Sequence, residues 1–234
     1  MRFSGHISLL CAMLLAAGSA TAQAREGDWV SYRDAYRAMV VFEKYGKPKQ
    51  FLQSTYQVIP KDKTAPTEGL KLTLNGKSTQ LNLPLDAAGR TVFPLLKAAY
   101  DENAELTLNH NVAQYQFRQR ISIVTRADGV YEAADLRAAC EQALAYERYV
   151  HPSIVSGKKC AGVRFVYPRK GIDPTVHVRV GERDSTLPVN EGSAFADNDG
   201  GSTFRVVAYR FADWPATGRV VTEDGPLLIS AVFE

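Results

Sequence analysis

The sequence is short of cysteine, histidine and long apolar runs, and each shortage closes off a class of function. It has three cysteines, and Cys11 lies in the N-terminal apolar run, which leaves Cys140 and Cys160. Two cysteines twenty positions apart cannot build a Cys-x-x-Cys zinc site. Beyond the first 24 residues the histidines are His110, His151 and His177, each isolated in sequence. None has the His-x-x-x-His spacing or the neighbouring Glu that metal binding on a helix requires. His177 alternates with Val176 and Val178, so it is expected to point from a strand into solvent. No Gly-x-Ser-x-Gly elbow, phosphate loop or dinucleotide fingerprint occurs. Neither sign of charge dominates: 28 Lys+Arg stand against 25 Asp+Glu, with no dense basic run. That balance excludes the basic stripe of a nucleic-acid binder.

What is present begins at the N-terminus. "MRFSGHISLLCAMLLAAGSATAQA" has a basic start at Arg2, an apolar run from Ile7 to Ala17, and small residues suited to cleavage after Ala22 or Ala24. The run is too short to span a bilayer, and no later stretch is apolar for long enough. Residues 1–24 are therefore predicted to be a secretory signal, which places the rest of the chain in the periplasm or outside the cell, with no transmembrane segment. In that oxidising setting Cys140 and Cys160 are expected to form a disulfide. Closing a loop of that size stabilises by about 3 kcal/mol.

The remainder reads as one unit used twice, residues 25–127 and 128–234. "VIPKDKTAPT" (Val58 to Thr67) and "VYPRKGIDPT" (Val166 to Thr175) share a frame of Val-x-Pro-basic and Pro-Thr. Each follows a helical pattern, capped in the first case by Ser31 and ending "EKYGKP" or "ERYVHP". Each precedes alternating strands with Gly-containing turns, then Leu-Pro at Leu83-Pro84 or Leu187-Pro188, then Phe93 or Phe195. The spacing predicts an α+β fold of two tandem repeats, each a helix packed on an antiparallel sheet or small β-sandwich. On this reading Leu72 and Leu74 match Val178 and Val180, and both Val-x-Pro frames play the same part.

Candidate site residues are few. "DNDGG" (Asp197 to Gly201) has the oxygen-rich composition that Ca²⁺ prefers, but lacks the third ligand and distant Glu of an EF-hand, so it reads as a solvated turn. Trp214, flanked by Asp213 and Pro215 in "FADWPATG", is the aromatic expected to be exposed, and Trp214 with Asp213 is the predicted binding position. No catalytic residues, metal ligands or cofactor follow from the pattern. In its signal, its length and its helix-then-Val-x-Pro layout, the chain resembles uncharacterised periplasmic proteins of Gram-negative bacteria. That resemblance implies an exported protein and transfers no catalytic residue. The sequence favours a non-enzymatic protein that binds an envelope protein or a small ligand. The alternatives are an envelope hydrolase with a motif-less site, and an assembly or inhibitor protein acting by strand addition.

Overall fold

The computed structural model describes residues 29–62, 64–197 and 203–234. The signal-like segment and Asn198 to Gly201 of the acidic turn lie outside the described residues. The first half runs β1 (Trp29–Ser31), α1 (Tyr32–Lys44), β2 (Leu52–Pro60), β3 (Leu72–Asn75), β4 (Gln80–Leu83), β5 (Arg90–Thr91), α2 (Lys97–Asp101), β6 (Glu105–Leu108) and β7 (Tyr115–Ile123). The second runs β8 (Val130–Glu132), α3 (Ala133–Val150), β9 (Cys160–Tyr167), β10 (Val176–Val180), β11 (Arg183–Thr186), β12 (Val189–Gly192), β13 (Phe204–Arg210), β14 (Arg219–Thr222) and β15 (Leu228–Phe233). Ser31 caps α1 by accepting from the Asp34 backbone N–H at 3.3 Å, and Asp34 and Lys44 sit at the ends that suit the helix dipole.

The class is α+β, with three antiparallel sheets. One has seven strands in the order β12-β13-β9-β15-β7-β2-β5; the two small sheets run β1-β6-β3-β4 and β8-β14-β10-β11. The small sheets have matching orders. In each, the strand that leads into the long helix lies on one edge and a hairpin lies on the other. Their inner faces, α1 and α3 cover the same side of the large sheet, because that is where the alternating apolar residues of the long strands point. Tyr32, Ala35 and Met39 of α1 meet Tyr56 and Val58 of β2 and Leu72, Leu74 and Leu106 of the first small sheet. Leu136, Cys140 and Ala143 of α3 meet Val163, Phe165 and Tyr167 of β9 and Val176, Val178 and Val220 of the second. Each fully buried Leu or Phe here contributes about 2 kcal/mol of transfer free energy.

The first half has a cluster of its own, but the larger core is shared between the halves. Phe42, Tyr45, Leu52 and Ile123 belong to the same buried cluster as α3 and β9. The Tyr146 ring lies edge-on to Phe42 and Tyr45, at 5.3 and 5.1 Å between centroids. Below it, the Tyr146 hydroxyl donates to Gln119 Oε1 (2.8 Å), and Gln119 Nε2 donates to Ser54 Oγ (2.9 Å). A partly buried amide with both ends occupied ties α3 to the strands of the other half.

Three expected correspondences are displaced. Val58 faces the helices, whereas Val166 packs on the opposite face with Phe195, Phe204 and Leu228. The two Val-x-Pro frames are therefore one residue out of phase, and in a strand one residue reverses the face. Pro60 is the last residue of β2, paired opposite Tyr115, while Pro168 lies just beyond β9. The buried partners of Leu72 and Leu74 are Val176 and Val178, not Val178 and Val180, since Val180 is only partly buried. Phe93 stacks on Tyr32 beneath the first small sheet, but Phe195 lies on the helix-free face of the large sheet.

Candidate functional site

Trp214 and Asp213 lie in the turn between β13 and β14. Asp213 is exposed, but Trp214 is partly buried and packs against the core of the second half, with the Arg183 guanidinium 5.5 Å from its ring centre. Arg137 of α3 holds this turn by donating to the carbonyls of Phe211 (2.8 Å) and Trp214 (2.7 Å) while stacking over the Phe211 ring. The indole thus closes the end of a core, where full exposure was expected. Cys140 and Cys160 form a disulfide with Cα atoms 5.9 Å apart, joining α3 to the start of β9. The geometry needed is supplied by packing α3 directly on that strand.

The richest array of polar side chains lies elsewhere, on the outer face of the second small sheet. Alternation puts His177 and Arg179 of β10 outward, beside Asp184 and Thr186 of β11, Arg219 and Val221 of β14, and Val130 and Glu132 of β8. The register lays one row straight across the four strands, Asp184, Arg179, Arg219, Glu132. Its charges run negative, positive, positive, negative. Arg179 Nε donates to Asp184 (2.8 Å) and Arg219 Nε to Glu132 (2.8 Å). In the neighbouring row His177 lies between two carboxylates, Nδ1 3.0 Å from Asp184 and Nε2 3.3 Å from Glu223, with the Thr186 hydroxyl 3.4 Å from Nδ1. Only an imidazolium can donate to both at once. The hydrogen bond from Arg179 holds the Asp184 carboxyl below its ordinary range, and the charges of Arg179 and His177 lower it further.

Beside the two arginines lies an open depression of about 490 Å³ lined by Val130, Glu132, Arg179, Gly181, Gly218, Arg219 and Val221. Gly181 and Gly218 contribute no side chain to its rim. Gly218 has φ +102°, and a Cβ there would lie 2.4 Å from the Arg179 carbonyl oxygen, so the close approach of β14 to β10 requires glycine. Sequence reading missed this cluster because its members come from four strands. The available signal was the alternation of His177 and Arg179 with buried valines, which marks an outward face but not its neighbours.

A second charged group occupies the helix-free face of the large sheet. Arg118 and Arg120 of β7 both reach the Asp197 carboxylate, at 3.0 and 2.8 Å, and Arg120 lies over the Phe195 ring and donates to Gln57 (2.7 Å). Burial raises the Asp197 carboxyl, but the hydrogen bond and charge of Arg120, with Arg118 behind it, hold it below its usual range. Burial, and then the charge of Arg120, lower the Arg118 guanidinium. This group ties the Phe195 segment of the second half to a strand of the first. A small half-open cleft nearby, lined by Gln57, Pro60, Ala88, Gly89 and Phe204, is about 30 Å³, room for water only. Among the described residues no three His, Cys, Asp or Glu side chains are grouped to hold a metal ion, and no helix is long and apolar enough to cross a membrane. Compared with protein-family models, with curated proteins and with solved structures, the chain gives no match in any of the three.

Proposed function

We propose that the chain is an exported, non-enzymatic binding protein that recognises an anionic group, carboxylate or phosphate, on the outer face of the second small sheet. The observation that carries this reading is the pairing of Arg179 directly opposite Arg219 at the rim of the depression. Like charges directly across a strand pair are unfavourable. The flanking acids each occupy one side of one guanidinium, and an anion placed between the two would receive charge-assisted bonds from both. His177 is engaged at both ring nitrogens by carboxylates, which suits a positioning role better than proton transfer. Export is supported by the signal-like N-terminus and the disulfide. Protein from the periplasmic fraction should begin near Gln23 or Arg25. The tandem-repeat reading is part of the same proposal, supported by the matching strand orders of the small sheets.

Titration with inorganic phosphate and with a short acidic peptide, followed through the Arg Nε–H resonances, tests the binding proposal. Arg179 and Arg219 should shift together, and the double change Arg179→Ala, Arg219→Ala should abolish saturable binding. Unmoved resonances at millimolar ligand would sink the idea. Strand addition keeps a place as a second reading because β12 is an exposed edge of the large sheet. A backbone-methylated residue at Asn190 that leaves partner capture intact would remove it.

A further inference from the structure

A different surface, in the first half, exposes a run of aliphatic side chains. The segment between β5 and α2 reads Val92-Phe93-Pro94-Leu95-Leu96. Phe93 is buried and stacked on Tyr32, but Val92 is 82 % exposed and Leu95 and Leu96 are each 36 % exposed. Scattered exposed aliphatics are ordinary; three within five residues form a patch. The backbone here is held rather than loose. The buried Tyr32 hydroxyl donates to the Pro94 carbonyl (2.6 Å) and accepts from the Leu96 N–H (2.8 Å), so inward space is already taken and the two leucines project outward.

Basic and aromatic side chains lie close to the patch, with a net charge of +1 from Arg33, Arg37 and Lys97 against Asp34 and Asp101. Tyr36 and Tyr100 lie beside it, their rings 4.9 Å apart, with the Arg33 and Arg37 guanidinium groups over the Tyr100 ring at 5.1 and 5.9 Å. Lys97 directly follows Leu96. Asp34 and Asp101 pair with Arg37 and Lys97, while Arg33 donates to the carbonyls of Tyr100 and Asp101. Exposed aliphatics with amphipathic tyrosines and basic side chains close by are the residue types that acyl chains, headgroup zone and phosphate layer of a bilayer accept. The corresponding segment of the second half does the opposite, burying Ala194 and Phe195 against the large sheet.

We infer that the protein docks peripherally on a bilayer containing anionic phospholipid, inserting Val92, Leu95 and Leu96 below the headgroups. Vesicles of phosphatidylethanolamine with phosphatidylglycerol, and vesicles of phosphatidylcholine alone, provide the test by co-sedimentation of the purified protein. Binding is expected to the first far above the second, and to weaken as salt is raised. The double change Val92→Asp, Leu95→Asp should reduce binding at least about tenfold, since withdrawing the largely exposed Val92 from the bilayer forfeits about that factor by itself and the part-exposed Leu95 adds less. Thermal melting of this variant should be unchanged, and Val92→Asp alone serves if it is not, because Val92 packs against almost nothing. No binding to the anionic vesicles, or binding undiminished by either variant, overturns the inference. So does a lipid-independent dimer in sedimentation velocity that Val92→Asp dissociates, which would assign the patch to a second copy of the chain.

Discussion

The two small sheets share a strand order and differ in almost every outward side chain. On the first, the rows across the four strands are Asn82, Thr73, Thr107, Trp29 and Gln80, Asn75, Glu105, Ser31. On the second, the same positions hold Thr186, His177, Val221, Val130 and Asp184, Arg179, Arg219, Glu132. One face carries a single charge and closes on itself through bonds such as Asn75 Nδ2 to Thr107 Oγ1 at 2.7 Å. The other alternates acids and bases around a depression. Inner residues are constrained by volume, whereas outward ones answer only to their cross-strand neighbours and to whatever lies in solution. A shared strand order therefore leaves the outer chemistry open, and the charged face is where a binding function would show itself.

The largest effect that separates the halves should come from the disulfide, which the first half lacks. Replacing both Cys140 and Cys160 with Ser should lower stability by about 3 kcal/mol in denaturant titration. Hydrogen exchange should rise in α3 and β9 and stay unchanged in α1 and β2. Equal loosening of both halves would mean that the shared core, not the staple, governs local opening.

Next in size is Gly218→Ala, which forces a Cβ against the Arg179 carbonyl at a left-handed φ and should cost about 2 kcal/mol. Gly181→Ala, also at positive φ (+59°) but facing open space, should cost about 1 kcal/mol. If the two cost the same, close packing of β10 on β14 is not what shapes the depression. Trp214→Ala should then lower stability by about 1.5 kcal/mol, because a partly buried indole and its contact with Arg183 are lost. Unchanged stability with weakened ligand binding would restore Trp214 as a binding anchor.

The smallest effect is electrostatic. Asp184 titrates below its unfolded value, so the contribution of its contacts is present above the unfolded carboxylate pKa of about 3.9 and disappears as pH falls through the lower folded value. Arg179→Gln should move the Asp184 titration, read by carbon-13 NMR, back up toward the ordinary range. A titration that stays low would shift the credit to His177.

Legibility in the sequence followed chain distance. The α1 cap at Ser31, the strand alternation and the Cys140–Cys160 pair depend on neighbours along the chain, or on a cysteine count that left one choice, and all were readable. The phase of the Val-x-Pro frames was not. Val58 and Val166 look alike in sequence, yet sheet register sends them to opposite faces. Trp214 looked exposed because Asp213 and Pro215 flank it, and nothing local announces that Arg137, some seventy positions earlier, draws its turn onto the core.

By itself, then, the sequence determined the α+β class, the two helices with their strand sets, and the disulfide, because each follows from local periodicity, capping or the scarcity of cysteine. The tertiary structure alone decided which outward residues became neighbours. Asp184, Arg179, Arg219 and Glu132 are brought into one row, and Val92, Leu95 and Leu96 are left uncovered while Phe195 is buried. Strand register and core volume set those outcomes, and both arise only when distant segments pack together.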